Sequence, residues 1–332
     1  MRFELFVALR YLFSRAKHSM ISIISLVSVL AVGLGVAALI VVLGVMNGFS
    51  TDLRDKILGV NAHVLVLSAE GGIKDYTPLV EKITAVPGVA GVMPFIYSEV
   101  MVSTPGGVKG VALRGIDPTD ASRVLSISRQ MTEGGMEGLS RENGPQGVVI
   151  GKQLALRLGA KLGGRVNLLS PAGTQSSVGF SPKVGAFEVV GIFDTGMYEY
   201  DSSLAFISLD AARHLLGFKT VRATGLEVKV HDVYQAPEIS DTLARILGRP
   251  FYTRHWMEMN ANLFAALKLE KAAMFIVLIM IVLVGSFSII TTLVMMVMEK
   301  SKDIAVLMSM GARGGAIRRI FMLQGTIIGL VG

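Results

Sequence analysis

The chain has 332 residues, of which 52% are hydrophobic, with no cysteine and a formal net charge of +7. This composition is too apolar for an ordinary soluble protein, and two long uncharged stretches account for most of the excess. The lack of cysteine excludes thiol catalysis and cysteine-ligated zinc. Basic residues of the long middle region are scattered without an aromatic stripe, which does not favour binding of nucleic acid.

The N-terminal segment combines a short helix with a long apolar stretch. Residues 2–18 have polar side chains on one side, typical of an interfacial helix or of a plain basic flank. Residues 21–46 contain no charge. A helix of that length, about 40 Å, crosses a hydrocarbon core of roughly 30 Å. Because the stretch is longer than a signal-peptide core and no A-x-A site closes it, we expect an uncleaved span.

The middle region, residues 47–271, mixes strands and helices. Alternating and β-branched runs predict strands at residues 62–68, 99–103, 108–116, 165–170, 187–193, 203–209 and 224–230. Helical spacing predicts helices at residues 77–86, 151–159, 209–217 and 236–248. Residues 126–147 are rich in glycine and polar side chains, which indicates a loop or a junction between two lobes. We expect an α+β domain large enough to fold without disulfides.

The C-terminal part returns to apolar sequence. A helical pattern at residues 256–271 runs without a breaker into residues 272–298, which carry no charge and predict a second span. A charged segment, residues 299–319, separates this span from a third apolar run at residues 320–332. Because 13 residues are too few to cross a bilayer, we expect a fragment that ends inside a third span, rather than a re-entrant segment.

The charged segment itself has an amphipathic pattern. Its residues Ile304, Leu307, Met308 and Gly311 recur at helical spacing and predict one apolar face. A short helix of this kind suits a groove on a soluble partner, or it rests on lipid.

The distribution of charge predicts the topology. Residues 1–20 carry four basic residues and one acidic residue, and residues 299–332 carry five and two, so each flank has a net charge of +3. Residues 47–271 are nearly balanced, with 23 basic and 22 acidic residues. Short positive flanks stay in the cytoplasm, so the middle region is expected outside it.

No motif predicts an active site. The nearest approach to a phosphate-binding loop, "GVVIGKQ" at residues 147–153, has three residues between its glycines and ends in Gln, which favours a strand followed by a helix. The five histidines lack metal-ligand spacing. Acids in "DTGMYEYD", residues 194–201, are typical of a solvated loop. We expect no enzyme activity, and no metal or cofactor bound directly by this chain.

Glycines four residues apart occur in two apolar segments. They are Gly44 with Gly48 and Gly325 with Gly329. This spacing lets helices approach closely in lipid, although it also arises by chance in glycine-rich apolar sequence.

Several segments together resemble a known family. "MEKSKDIAVLMSMGARGGAIRRIFMLQG", residues 298–325, resembles the cytoplasmic signature of the FtsX/MacB-type ABC permeases. "VVLGVMNGF" (41–49), "VALRGIDP" (111–118), "GVVIGKQLALRLG" (147–159) and residues 187–217 are similar to its LolC/LolE subgroup, the membrane subunits of the lipoprotein-releasing complex. The resemblance covers nearly the whole chain. It does not distinguish a LolC-like, a LolE-like and a self-pairing subunit.

The resemblance implies a four-span membrane protein in the inner membrane of a Gram-negative bacterium. Its expected parts are a cytoplasmic interfacial helix (1–20), a first span (21–46), a MacB-like periplasmic α+β domain (47–271), a second span (272–298), a coupling helix and turn (299–319) and the start of a third span (320–332). The implied partners are a second LolC/LolE-like permease subunit and a LolD-like ATPase, which would hold the ATP and Mg²⁺. Acylated lipoproteins would enter from the outer leaflet and pass to a LolA-like periplasmic carrier.

Three groups of site residues follow from the resemblance. Coupling to the ATPase is assigned to Glu299, Lys302, Ile304, Leu307, Met308 and Gly311. The lining of the lipoprotein cavity is assigned to Val42, Val45, Met46, Leu267, Met274 and Leu278. A hook for the carrier is assigned to residues 170–183, with Pro171, Gly173, Phe180 and Pro182.

Two other functions stay open at this point. A MacB-like efflux or mechanotransmission subunit would bind an outer-membrane channel instead of the carrier. An FtsX-like regulator of cell-wall hydrolases would bind a periplasmic hydrolase activator, but that type usually has a smaller outer domain.

Overall fold

The computed structural model describes residues 3–13, 19–141, 144–176, 179–218, 220 and 222–331. The contacts between residues divide the chain into two compact units. One, the helical unit, contains Met1–Thr51 and Asn262–Gly332. The other, the sheet unit, is Asp52–Ala261.

The elements are as follows. The helices are α1 (Phe3–Phe13), α2 (Ser19–Val60), α3 (Thr77–Thr84), α4 (Pro118–Val124), α5 (Lys152–Leu158), α6 (Tyr198–Ser203), α7 (Leu209–Leu216), α8 (Ala236–Leu247), α9 (Trp256–Met259), α10 (Ala261–Glu299), α11 (Ser301–Ser309) and α12 (Gly314–Val331). The strands are β1 (Val64–Ser68), β2 (Ile73–Lys74), β3 (Val89–Thr104), β4 (Gly107–Ile116), β5 (Met131–Gly134), β6 (Gln146–Gly151), β7 (Arg165–Ser176), β8 (Gly179–Phe193), β9 (Leu204–Ser208), β10 (Arg222–Ala223), β11 (Gly225–Val230) and β12 (Phe251–His255).

The helical unit contains the long apolar helices. By length and composition, Gly33–Val60 within α2 and the whole of α10 are long and apolar enough to cross a membrane, with mean hydropathies of 2.0 and 2.9. Helix α1 packs against α12, where Ala8 is fully buried and its carbonyl accepts a hydrogen bond from Gln324 Nε2 at 3.4 Å. Helix α12 in turn packs against α10 through a small cluster that contains Met296 and Phe321.

The sheet unit is built on one large mixed sheet. Its strands follow the order β12–β1–β11–β3–β4–β9–β6–β8–β5, and β7 pairs with both β3 and β8. The pairs β4–β9 and β6–β8 are parallel, and the other pairs of this sheet are antiparallel. Strands β6 and β9 are buried almost throughout, which explains their continuous apolar sequences.

Alternation along β3 places two cores on opposite faces of this sheet. Val100 and Val102 face the core that is closed by α5 and α7. Met93 and Phe95 face the second core, which includes α4 and the last residue of α2, Val60. The second core covers only part of its face, since Met101 on the same face is half exposed.

Most sequence-based elements are confirmed, but residues 126–147 and residues 256–271 differ from expectation. Residues 126–147 were expected to be a loop or a junction, but they contain β5 and two 3₁₀ turns, and Ile127 and Leu139 are fully buried. The high glycine content led to the prediction of a loop, although the apolar residues of this segment are buried and anchor it. The helix expected to run unbroken from residue 256 is interrupted at Asn260, which has φ −114° and ψ 31° and separates α9 from α10.

Candidate functional site

The predicted coupling segment forms a helix–turn–helix. Glu299 ends α10, and α11 follows after Lys300, whose ammonium lies 3.1 Å from the carboxylate of Asp303. After α11, Gly311 adopts a positive φ of +97° with open space where a side chain would stand. A residue with a Cβ would be strained there, so glycine permits the turn into α12.

The residues of the predicted apolar face of α11 differ in how far they are buried. Ile304 is half-buried and packs against the cluster of Met296 and Phe321, so it holds α11 to its own chain. Leu307 is also half-buried, whereas Met308 is 53% exposed. The side of α11 opposite Ile304 and Leu307 carries Lys302 and Val306, and Val306 is 58% exposed. Within the described chain Ile304 thus contacts its own helices, and its assignment to a partner stays a prediction, because amphipathicity alone does not say which face is covered.

The predicted cavity residues also differ in exposure. Met46 on α2 is half-buried, whereas Val42 and Val45 are 41% and 64% exposed. On α10, Leu267, Met274 and Leu278 are all half-buried. Their spacing of seven and four residues places them on one stripe of the helix.

An apolar groove of about 540 Å³ lies elsewhere in the helical unit and was missed by sequence reasoning. Gly35, Leu39, Ile281, Ile289 and Gly329 are among its lining residues, and none of the six predicted cavity residues lines it. A Cβ on Gly35 would lie 3.1 Å from Ile281 Cγ2, so α2 and α10 approach closely at this groove. Single glycines in an apolar span are the signal that could have indicated it.

The two glycine pairs have different surroundings. A Cβ on Gly325 would lie 2.9 Å from Leu293 Cδ1, and one on Gly329 would lie 3.7 Å from Ile289 Cδ1. This pair therefore allows α12 to approach α10 closely. A Cβ on Gly44 or Gly48 would meet no atom within 4 Å, so that pair makes no close approach within the described chain.

The predicted hook is an extension of a strand pair rather than a free loop. Strands β7 and β8 remain paired at Thr174 with Ser181 and at Ser176 with Gly179. Pro171 and Pro182 are exposed near the base of this hairpin. Gly173 and Phe180 lie on its arms, but the side chain of Phe180 and residues 177–178 lie outside the described part of the chain.

A buried ion pair joins the sheet to the end of α2. Arg114 on β4 is 5% exposed and donates to the carboxylate of Glu227 on β11, which is 3% exposed. Arg114 Nη1 also donates to the carbonyl of Val60 at 2.9 Å, and its guanidinium lies 5.6 Å from the centre of the Phe206 ring. Burial raises the pKa of Glu227, and the Arg114 charge opposes that rise. The sequence did not indicate this pair, because each of the two strands also carries a lysine, Lys109 on β4 and Lys229 on β11.

The acids of residues 194–201 have structural partners. Lys152 Nζ lies 2.7 Å from Asp194 Oδ2, and this hydrogen bond lowers the pKa of Asp194. Asp201 is buried and accepts hydrogen bonds from the backbone and hydroxyl of Thr195, so it is not in the solvated loop that the sequence indicated. Among the residues that the structure describes, no group of three or more His, Asp or Glu is placed to hold a metal ion.

Two protein-family models match this chain. The MacB-like periplasmic core domain matches residues 25–246, and the FtsX-like permease C-terminal domain matches residues 275–332. The "Lipoprotein-releasing system transmembrane protein LolC" of Neisseria meningitidis is 34% identical over 330 residues, covering 99% of this chain and 79% of that protein. This chain belongs to the LolC/LolE family.

Other LolC/LolE proteins agree with this assignment. LolC of Xylella fastidiosa strain Temecula1 is 33% identical over 326 residues, covering 98% of this chain and 78% of that protein. LolE of Haemophilus influenzae is 28% identical over 332 residues, covering 98% of this chain and 79% of that protein. The resemblance inferred from the sequence segments is thus confirmed, and the protein is a permease subunit of the lipoprotein-releasing type.

Among solved structures, the periplasmic region of MacB from Actinobacillus actinomycetemcomitans is similar to part of the LolC/LolE-family chain. The two share 13% identity with a TM-score of 0.41, over 62% of this chain and 94% of that one. A likeness at this level carries no functional argument.

Proposed function

We propose that this LolC/LolE-family chain is the permease subunit of an ATP-driven complex that extracts acylated lipoproteins from the outer leaflet of the inner membrane and passes them to a periplasmic carrier. The observation that carries the proposal is the similarity to lipoprotein-releasing LolC and LolE proteins over 98–99% of the chain. The chain itself supplies mechanical work on the substrate, and ATP is hydrolysed on a separate LolD-like subunit. A second LolC/LolE-like subunit completes the pathway.

The energetics of the substrate support this division of labour. Removing an acyl chain from a bilayer costs roughly 0.8 kcal/mol for each CH₂ group exposed to water. Several chains on one lipoprotein therefore prevent spontaneous release. Extraction needs both an energy source and an apolar surface that receives the chains.

Two features of the structure support the proposed coupling to an ATPase and the proposed apolar surface for the acyl chains. Helix α11 presents Lys302 and Val306 outward, which suits contact with an ATPase subunit on the cytoplasmic side. The helical unit has an apolar groove beside Gly35 and Ile281, and its predicted cavity residues lie on α2 and α10. In this proposal Asp52–Ala261 lies in the periplasm, and both α1 and α11 are cytoplasmic.

Reconstitution tests the activity. Proteoliposomes would contain the complete complex and a triacylated lipoprotein, and release into a soluble carrier would be followed after addition of ATP. We expect release to require ATP, the carrier and this chain together. Absence of release, combined with binding to an outer-membrane channel or to a hydrolase activator, would favour the MacB-like or FtsX-like function instead.

The absence of native cysteine makes the topology directly testable. Val108→Cys, on the sheet unit, should react with an impermeant maleimide in intact spheroplasts. Met310→Cys, beside α11, should react only after permeabilisation. Reaction of both positions from the same side would contradict the proposed orientation.

A further inference from the structure

An open trough of about 690 Å³ lies on one face of the sheet unit. Its lining includes Met101 on β3, Gly110 and Ala112 on β4, and Leu169, Pro171 and Pro182 at the base of the β7–β8 hairpin. The volume is in the range of sites that hold a small ligand. Of the site residues that the sequence predicted and the structure describes, only Pro171 and Pro182 line it.

The register of three strands creates this trough. Met101 pairs with Gly110 on one side and with Leu169 on the other, so the three residues stand in a row on the same face of the sheet. A Cβ on Gly110 would meet no atom within 4 Å, and Ala112 next to it on the same face is small. The small residues on β4 therefore form the bottom of the trough, and the longer side chain of Met101, which is 50% exposed, forms one side of it.

The trough lies on the face that the second core covers only in part. Phe95 on β3 is buried in that core, whereas Met101, six residues later on the same face, is half exposed. The opposite face of β3 is closed by α5 and α7. This part of the face is therefore open to a ligand.

The lining offers few free hydrogen-bonding groups. Strand β3 is paired on both edges at Met101, so its backbone amide and carbonyl groups are used within the sheet. Pro171 and Pro182 have no N–H group. The hydroxyl of Ser203, at the rim, donates to the carbonyl of Glu199. An extended peptide needs backbone partners, whereas a hydrocarbon chain needs none. Among the described lining residues, Glu99 is the one that carries a charge.

We propose that this trough receives an acyl chain of the lipoprotein while it leaves the membrane for the carrier. The inference rests on the proposed function and adds a binding site outside the helical unit. Met101 adapts its shape to a flexible chain, as methionine does on surfaces that bind varied apolar ligands. Pro171 and Pro182 place the trough beside the hairpin that is assigned to the carrier, so the acyl chain lies next to the carrier's expected contact.

Photo-crosslinking in the complete complex tests the site. Benzoylphenylalanine at position 101 should label a triacylated lipoprotein during ATP-driven release and should not label the same protein without acyl chains. The matched control is position 156, because Leu156 is 68% exposed on α5, which covers the opposite face. Labelling of the carrier or of a second permease subunit from position 101 with no labelling of the lipoprotein, or equal labelling of the unacylated protein, overturns the proposal.

A variant that fills the trough gives a second readout. Ala112→Trp should lower transfer to the carrier by about tenfold or more while ATP hydrolysis persists. Met101→Glu, which leaves the sheet register intact, should do the same if the tryptophan variant fails to fold. Normal transfer by Met101→Glu, with no acyl-dependent labelling, refutes the trough but leaves the proposed function standing. Absence of release by the wild-type complex would refute the function itself.

Discussion

Val64 of β1 pairs with His255 of β12, so the strand that follows α2 lies directly beside the strand that precedes α9. The junction is reinforced by two hydrogen bonds of Trp256. Its backbone N–H donates to the carbonyl of His63 at 2.9 Å, and its indole Nε1 donates to the carbonyl of Val233 at 3.0 Å. The contacts of Trp256 therefore hold β1 and the end of β12 together at one edge of the sheet.

Trp256 should be a principal stabilising residue of that edge. It is 1% exposed, so Trp256→Ala removes a large buried side chain and the indole hydrogen bond. We expect the free energy of unfolding to fall by about 3–5 kcal/mol, measured by denaturant titration with far-ultraviolet circular dichroism. Tyr252→Ala, on the adjoining strand β12, is the control, because Tyr252 is 44% exposed. Equal losses in the two variants would contradict this role for Trp256.

The free energy of unfolding should depend strongly on whether Arg114 and Glu227 are both present. Arg114→Met leaves the Glu227 carboxylate buried without its cation, and we expect a loss of about 3–5 kcal/mol in the free energy of unfolding. The double variant Arg114→Met with Glu227→Leu should recover most of that loss, because it leaves no buried charge. A double-mutant cycle measures this coupling, and additive losses would indicate that the two side chains act independently.

The exposed side of α11 should transmit ATP hydrolysis. Val306→Glu places a charge on that side, and we expect ATP-dependent release to fall at least about tenfold, the effect of 1.4 kcal/mol, with lipoprotein binding retained. Val306→Thr is the control of similar size. Ile304→Glu should instead reduce thermal stability, because Ile304 packs within its own chain. If Leu307→Glu blocks release and Val306→Glu does not, the apolar face predicted from the sequence is the contacting one.

Glycine at position 325 should be required for close contact between α12 and α10. Gly325→Leu would force atoms into the space beside Leu293, where even a Cβ would stand 2.9 Å from Cδ1. We expect a lower melting temperature in detergent for this variant. Gly44→Leu is the matched control, since a Cβ at Gly44 meets no atom within 4 Å. A similar decrease in both variants would mean that helix propensity, and not close contact, explains the effect.

His63 should make stability depend on pH. Burial, followed by the nearby Lys229 charge, lowers the pKa of His63 below its ordinary value of 6.5, and its Nδ1 accepts a hydrogen bond from the N–H of Val230 at 3.2 Å. Stability is therefore complete above pH 6.5 and declines as the pH falls through the lowered pKa of the folded state.

Replacing His63 by Gln removes this titration while keeping a hydrogen-bond acceptor. Between pH 7.5 and pH 5.5 the melting temperature of the wild type should fall more than that of His63→Gln. Identical pH profiles would show that other groups, such as the acids of the sheet unit, account for the whole effect.

Local sequence predicted the elements whose signal is local. Two uncharged stretches gave α2 and α10, and the runs at residues 165–170 and 187–193 lie within β7 and β8. The family was also recognisable from sequence, because its motifs are continuous segments. Strand β12, in contrast, was not predicted, since its sequence FYTRH combines polar and aromatic residues and its pairing with β1 lies far away along the chain.

What sequence alone determined is therefore the order of apolar and charged segments, which sets the expected spans, the α+β character of the middle region and the family. Only tertiary structure decided which face of α11 is covered by Phe321, that Arg114 meets Glu227, 113 residues away, and that Met101, Gly110 and Leu169 line one trough. Hydropathy is a property of neighbours along the chain, whereas burial depends on strand register and helix contacts between distant segments.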